Sequence, residues 1–253
     1  MKTFDSVSKH YNDDVNDALH MTGYDIGTLT KAKLIKLQEI FPDLIHRQFN
    51  LLDFGCGIGN LYESIKRFFP KASYTGVDDS EKSIIEAQSR FSNTSIFHSL
   101  NSESWRNKQY DLVFSAGVFH HIPHDEHDKI LNELSYLLKP NGKLVIWEHN
   151  PFNPFTKKIV RDCVFDQDAV LINPYRMKKK FMKIPLYNNR VIFTTFFPKF
   201  LSYLNVLDPY LSWIPLGGQF ITYGEKRDNL VRVSTDNILT PLPVFAGHKK
   251  STF

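Results

Sequence analysis

Phe49-Asn50-Leu51-Leu52-Asp53-Phe54-Gly55-Cys56-Gly57-Ile58-Gly59-Asn60 decides how this chain is read. The run from Phe49 to Phe54 is short and apolar, as a buried strand is, and it ends in three glycines at alternate positions. Glycines directly after a strand let backbone approach a nucleotide at distances that side chains would block. The spacing matters. Dinucleotide sites carry G-x-G-x-x-G, whereas here the third glycine of that pattern is replaced by Asn60 and the loop runs Gly55-x-Gly57-x-Gly59. Asp53, two positions ahead of the first glycine, would repel a pyrophosphate and attract a ligand with positive charge at this end.

Outward from the loop, strand and helix signals alternate. Residues 28 to 41 place Leu29, Leu34, Leu37, Ile40 and Phe41 near helical spacing and stop at Pro42. After the loop, the pattern predicts a helix over 61 to 69, a strand over 73 to 77 and a helix over 80 to 91 with Ser80 as N-cap. It continues with strands over 94 to 98 and 110 to 115, a helix over 125 to 138, a turn at Lys139-Pro140-Asn141-Gly142 and a strand over 143 to 147. Strands separated by helices predict a Rossmann-like α/β fold, with a mostly parallel central sheet and helices on both faces. Ligands of such sheets lie beyond the carboxyl ends of the strands, which gathers 53–60, 78–80, 98–102, 116–121 and 148–153 on one rim.

Beyond Asn150 the alternation fails. Helices are expected over 152 to 165 and 169 to 181, a strand over 190 to 197, an aromatic-rich helix over 199 to 213 broken at Asp208-Pro209, and a last strand over 219 to 223. One domain is therefore expected over 1–227, with its ligand-binding core at about 28–150, a cap and final strands at about 151–227, and a loosely ordered tail over 228–253.

Charge and composition narrow the setting. Residues 1 to 150 hold 16 of the 31 lysines and arginines and 20 of the 27 acids, while residues 151 to 253 hold 15 and 7. The second half is thus basic, and an anionic acceptor or peripheral membrane contact is expected there, through Arg161, Arg176, Lys178, Lys179 and Lys180 and the aromatics that follow. No charge-free run approaches the roughly 20 apolar residues that span a bilayer. The polar start of the chain has no secretory signal, and the two cysteines, Cys56 and Cys163, are too few for a disulfide framework. Cytoplasmic residence is the expectation.

Asp78 ends the second expected strand 25 residues after Asp53, where a carboxylate can accept hydrogen bonds from ribose hydroxyls. The ordered set now resembles the class I S-adenosylmethionine-dependent methyltransferases. It comprises Asp53-Phe-Gly-Cys-Gly-Ile-Gly59, Gly76-Val-Asp78-Asp-Ser80, Tyr110-Asp-Leu-Val-Phe114, Phe119-His-His121 and Leu138-Lys-Pro-Asn-Gly142-Lys-Leu-Val-Ile146. The resemblance implies S-adenosylmethionine as cofactor. It places the methionine arm against Asp53, Gly55, Cys56, Gly57 and Gly59, the ribose on Asp78 with Asp79 and Ser80 beside it, and the adenine near Asn101, with Ala116 and His121 completing the site. At Asn101 the chain departs from the aspartate common in that family. A looser resemblance, through Glu148-His-Asn-Pro151, Arg161-Asp-Cys-Val-Phe-Asp-Gln-Asp168 and Pro215-Leu-Gly-Gly-Gln-Phe220, implies a bacterial subgroup acting on sugar, lipid-linked or small-molecule acceptors.

Methyl transfer needs in-line positioning, and a base where the acceptor holds a proton. His149, His120 and Glu148 are the candidates for acceptor contact and catalysis, while His124 and His127, at a helix start, read as solvated surface groups. No compact H-E-x-x-H ligand set exists, so no metal is expected. The absence of an Asn-Pro-Pro-Tyr tetrad after the fourth strand, where Ala116-Gly-Val-Phe119 stands, argues against nucleic acid as acceptor. Two alternatives share the sheet: an NAD(P)-dependent oxidoreductase, and a catalytically silent module that only binds S-adenosylmethionine.

Overall fold

The computed structural model describes residues 15–17, 19–163, 166 and 168–227, the side chain of Met21 excepted. Seven strands form one sheet in the order β3-β2-β1-β4-β5-β7-β6. These are β1 (Phe49–Phe54), β2 (Ala72–Asp78), β3 (Phe97–Ser99), β4 (Tyr110–Ala116), β5 (Leu138–His149), β6 (Leu186–Thr194) and β7 (Gln219–Lys226). The first five pair in parallel, while β7 runs antiparallel to both β5 and β6. The helices include α1 (Ile26–Ile40), α2 (Tyr62–Phe68), α3 (Glu81–Phe91), α4 (His127–Tyr136), α5 (Pro154–Asp162), α6 (Pro174–Phe181) and the single turn α7 (Asp208–Leu211).

Both faces of the sheet are covered, and the two-residue period of the strands assigns each side chain to a face. Leu51, Leu112, Phe114, Val145 and Trp147 join Leu34 and Leu37 of α1, Ile65 of α2 and Ala87 of α3 in one core. Their neighbours Leu52, Phe54, Val113, Leu144 and Ile146 join Leu131 and Leu134 of α4 and Met177 and Phe181 of α6 in the other. Burying a leucine of this kind stabilises by roughly 1.5–3 kcal/mol, so a one-residue slip of any central strand is prohibitive.

Several boundaries move from the sequence expectation, each for a local reason. The third strand starts at Phe97 because Asn93 folds back on Ser95, accepting from its amide at 3.1 Å and its hydroxyl at 2.8 Å. The turn expected at Lys139-Pro140-Asn141-Gly142 is instead an irregularity inside β5. The register jumps there from Tyr110↔Leu138 to Leu112↔Lys143, and Asn141 takes φ 59°. The two helices beyond Asn150 start later than expected, each at an Asn-Pro pair. Asn153 caps α5 by accepting from the Thr156 amide, Asn173 caps α6 through the amides of Tyr175 and Arg176, and each proline occupies the first helical position. The strand expected over 190–197 is β6, shifted four residues earlier at its start. The aromatic-rich helix resolves into a 3-10 segment over Lys199–Leu207 followed by α7, and neither buries a residue. The expected tail, 228–253, lies outside the described residues.

Because β7 is antiparallel, its first residue Gln219 pairs with His149 and Thr194 at the carboxyl-end rim. Residues 195–218, which connect β6 to β7, therefore project from the same rim as the glycine loop. Phe200, Tyr203, Tyr210 and Trp213 on this connection are each more than 70% exposed. Among the described residues, no helix is long and apolar enough to cross a membrane.

Candidate active site

Asp53 and Asp78 lie at the ends of neighbouring strands, Asp53 pairing with Gly76 two residues before Asp78. The glycine bend is tied to β2 by backbone: the amides of Gly55 and Cys56 both donate to the Val77 carbonyl, at 2.8 and 2.9 Å. Asp78 then joins the two strand ends through its carboxylate, accepting from the Gly57 amide at 2.8 Å and the Ser80 amide at 2.9 Å. All three glycines of the bend have positive φ, yet they are needed for different reasons. A Cβ on Gly55 would lie 2.2 Å from Val118 Cγ2, and one on Gly59 would lie 2.8 Å from Phe91, so those two are demanded by the protein's own packing. A Cβ on Gly57 would meet no protein atom within 4 Å. Of the three, the bend is open only at Gly57, whose amide is held by the Asp78 carboxylate.

Electrostatics distinguish those carboxylates. Burial pushes Asp53 up to about 7, against the lowering effect of a hydrogen bond donated by the Tyr74 hydroxyl at 2.8 Å. Burial also raises Asp78, with the Ser80 and Gly57 amides opposing it. A half-buried lysine of α1, Lys33, faces the same region. Its ammonium is disfavoured by burial and favoured by the carboxylates of Glu148 and Asp53. A site that destabilises its own anions in this way is matched to a cationic ligand.

The remaining cofactor candidates are placed as follows. Cys56 is buried, its sulfur against Gly76, and burial raises its thiol well above the ordinary value. Only the Cys56 backbone belongs to the bend. Asp79 and Asn101 are exposed beside the ends of β2 and β3, and Ser80 caps α3 by accepting from the Ser83 amide at 3.2 Å. Ala116 ends β4, next to Gly117 at φ 71°.

At the ends of β4 and β5 the construction differs. A 3-10 turn, Phe119–His121, follows β4 and is fixed by a carboxylate from β5. Glu148 Oε1 accepts from the amides of Val118 at 3.0 Å and Phe119 at 2.7 Å, while Oε2 accepts from His120 Nδ1 at 2.5 Å. Glu148 is 1% exposed and lies behind His120, which is itself 2% exposed, so of the three expected catalytic residues only His149 is partly exposed. His127, expected to be solvated, is instead buried. Its Nε2 lies 2.9 Å from the Phe119 carbonyl and 3.0 Å from that of Ile122, pinning the same turn, whereas His124 is exposed.

Asp166, from the segment after α5, completes the group. Its Oδ1 lies 3.3 Å from Nε2 of both His120 and His121, and its Oδ2 lies 4.0 Å from Nε2 of His149. Burial alone would lower His120, but the Glu148 carboxylate and Asp166 carry it up to about 10. Burial and the neighbouring His120 hold His149 down at about 4. Burial would raise Asp166, yet hydrogen bonds from His120 and His121 hold it far below the usual carboxylate range. Lys33 and Asp166 carry no local signal in the sequence. The first is one lysine of an amphipathic helix, and the second becomes meaningful only when residue 166 reaches the end of β5.

The sheet order, with its antiparallel β7 inserted between β5 and β6, departs from the 3-2-1-4-5-6 order of dinucleotide-binding sheets, and it defines a Rossmann-like methyltransferase fold. Solved structures agree on that fold. An S-adenosylmethionine-dependent methyltransferase from Archaeoglobus fulgidus matches with a TM-score of 0.56 at 18% identity, over 80% of this chain and 95% of that one. A Haemonchus contortus phosphoethanolamine N-methyltransferase 2, solved with phosphomonomethylethanolamine and S-adenosylhomocysteine, matches with a TM-score of 0.53 at 18% identity, over 78% and 53%. Residues 51–142 match the family model described as a methyltransferase domain. That stretch is a methyltransferase domain of the class I S-adenosylmethionine-dependent type, as the motif series implied. Trans-aconitate 2-methyltransferase of Escherichia coli O1:K1 / APEC is 29% identical over 119 residues, 47% of this chain and 46% of that protein. The Escherichia fergusonii protein of the same name is 29% identical over 117 residues. The chain thus matches less than half the length of these relatives, and the family match ends at residue 142, before Glu148-His149-Asn150-Pro151.

Proposed function

We propose that the whole chain is an enzyme that methylates a small or lipid-linked acceptor, with S-adenosylmethionine held over the bend at Gly57. The observation that carries this is the opening at Gly57, where a Cβ would meet nothing and where the Asp78 carboxylate holds the backbone, one strand from the buried Asp53. That donor set fits a nucleoside with a cationic amino-acid arm. Asp78 keeps lone pairs for ribose hydroxyls, and Asp53 and Lys33 offer opposite charges to the ammonium and carboxylate ends of the arm. When bound, the cofactor supplies an electrophilic methyl group that needs no further activation.

What the chain's own residues contribute is position and proton removal. His149, 23% exposed at the end of β5, faces the space where the acceptor would lie and can take its proton, while Asn150 anchors the neighbouring connection by donating to the Gly217 carbonyl at 2.6 Å. The exposed aromatics of 199–213 on the same rim support an acceptor with an apolar portion, and the basic second half supports an anionic one or a membrane-borne one.

Calorimetry on the full chain with S-adenosylmethionine, S-adenosylhomocysteine and NADH tests the reading. Binding of the first two and not the third is expected, and the reverse would overturn it in favour of an oxidoreductase. Once an acceptor is found by mass spectrometry of methylated products, His149→Ala should lower kcat by roughly 10²–10⁴ with cofactor affinity retained. Unchanged kcat would remove His149 from the reaction.

A further inference from the structure

We infer that His120, His121 and Asp166 form a binding site for a divalent transition ion of the zinc type, with His149 beside its fourth position. The site lies on the acceptor side of the reading above and rests on that reading only for what the ion would meet. One ligand atom from each of the three residues lies within 4.8 Å of the others, and both histidine-to-carboxylate separations are 3.3 Å. Both contacts are long for a charge-assisted N–H···O bond, which closes to about 2.7–2.9 Å. Ligands bound at 2.0–2.1 Å in a tetrahedron stand about 3.3–3.4 Å apart, which is the separation of each imidazole nitrogen from Asp166 Oδ1.

The second shell points the same way. Glu148, itself held by two backbone amides, accepts from His120 Nδ1. With Nδ1 committed to Glu148, His120 turns Nε2 toward Asp166 Oδ1 at 3.3 Å, where it donates when doubly protonated and offers a lone pair when neutral. Loss of the Nε2 proton would leave two lone pairs facing each other, which a cation bound between them resolves. Carboxylate behind imidazole is the arrangement that orients metal-bound histidine and raises its basicity. Two imidazoles and one carboxylate suit zinc, iron(II) or cobalt(II) better than magnesium or calcium. His121, His149 and Asp166 are each partly exposed, at 22%, 23% and 13%, so an ion there is reachable from the cleft. With three protein ligands it would keep a position for water or an acceptor oxygen, lowering the pKa of that oxygen beside His149. No sequence motif announces this set because its members come from the turn after β4 and from the segment after α5.

The test uses the untagged full chain, stripped with a chelator and dialysed. Cobalt(II) is added while visible absorption is followed, zinc(II) is titrated by calorimetry, and S-adenosylmethionine binding is measured on the same samples. One equivalent of each metal, a tetrahedral cobalt spectrum and displacement of cobalt by zinc are expected. Asp166→Asn and His121→Ala should each weaken binding at least about tenfold, and Glu148→Gln, which touches no ion, by about 10–100-fold. Asp166→Asn should leave cofactor affinity at the wild-type level, which also reports that the variant is folded. Wild-type protein that binds neither metal stoichiometrically would overturn the proposal, in favour of a doubly protonated His120 held between Glu148 and Asp166. So would equal binding by Asp166→Asn. Loss of cofactor binding by the wild type would count against the methyltransferase reading and leave the metal result standing.

Discussion

The two ends of the rim are built from different materials. Around β1 and β2 the site is mostly backbone: a bend with three positive-φ glycines, two amides on the Val77 carbonyl and two amides on Asp78, all within residues 53 to 80. Around β4 and β5 it is side chain on side chain, with Glu148, His120, His121, His149 and Asp166 converging from three separated segments. A backbone cradle suits a ligand that never varies, since its shape is set by φ/ψ and a few obligatory residues. A side-chain cluster can be exchanged residue by residue, which suits the end of the site that must match a particular acceptor.

The comparison breaks most directly at Glu148, where loss of one carboxylate uncovers a buried imidazole and two backbone amides at once. Glu148→Ala should destabilise the fold by about 3–5 kcal/mol in urea unfolding, because the partners left behind are buried and uncompensated. Glu148→Gln, which keeps acceptor and volume, should cost less. A cost for Glu148→Ala under about 1 kcal/mol would mean that water already serves the Phe119–His121 turn.

This division also explains what could be read in advance. The span of β1 was legible to the residue, as was the Ser80 cap, because strand, bend and cap are contiguous signals with fixed spacing. His127 was misplaced because a histidine in the first turn of a helix is ordinarily solvated, and only the carbonyls of Phe119 and Ile122, turned back toward α4, bury it. Asp166 lies within the Arg161–Asp168 segment, whose sequence assigns it no role. Its meaning depends on a tertiary approach to the end of β5 that neither periodicity nor spacing encodes. Lys33 was hidden in the same way, on a helix whose pattern reports only which face is apolar.

A second prediction concerns the acid at the backbone-built end. Burial raises Asp53 from 3.8 to about 7, so the folded chain holds this proton more tightly than the unfolded chain does. The stabilisation is fully present below about pH 4 and is lost as pH rises through 7, amounting to at most about 4 kcal/mol. Without cofactor, wild-type stability should therefore fall from pH 5 to pH 8. Asp53→Asn should flatten that slope while weakening S-adenosylmethionine binding. Parallel melting curves across this range decide the matter, and identical slopes in both proteins would show that Asp53 is not the group titrating.

The smallest effect is the most informative about how the bend divides its work. Gly55→Ala forces a methyl group to within 2.2 Å of Val118 at φ 80°, so overpacking and backbone strain should together cost about 2–4 kcal/mol of stability. Gly57→Ala meets no protein atom and carries only the left-handed penalty at φ 52°, about 1 kcal/mol. The new methyl group would nevertheless stand in the opening beside Asp78, so cofactor affinity should drop at least tenfold in a protein that melts within a few degrees of wild type. A Gly57→Ala protein that binds S-adenosylmethionine normally would detach the opening from the ligand, since the space there would then be solvent and the methionine arm would have to lie elsewhere on the rim.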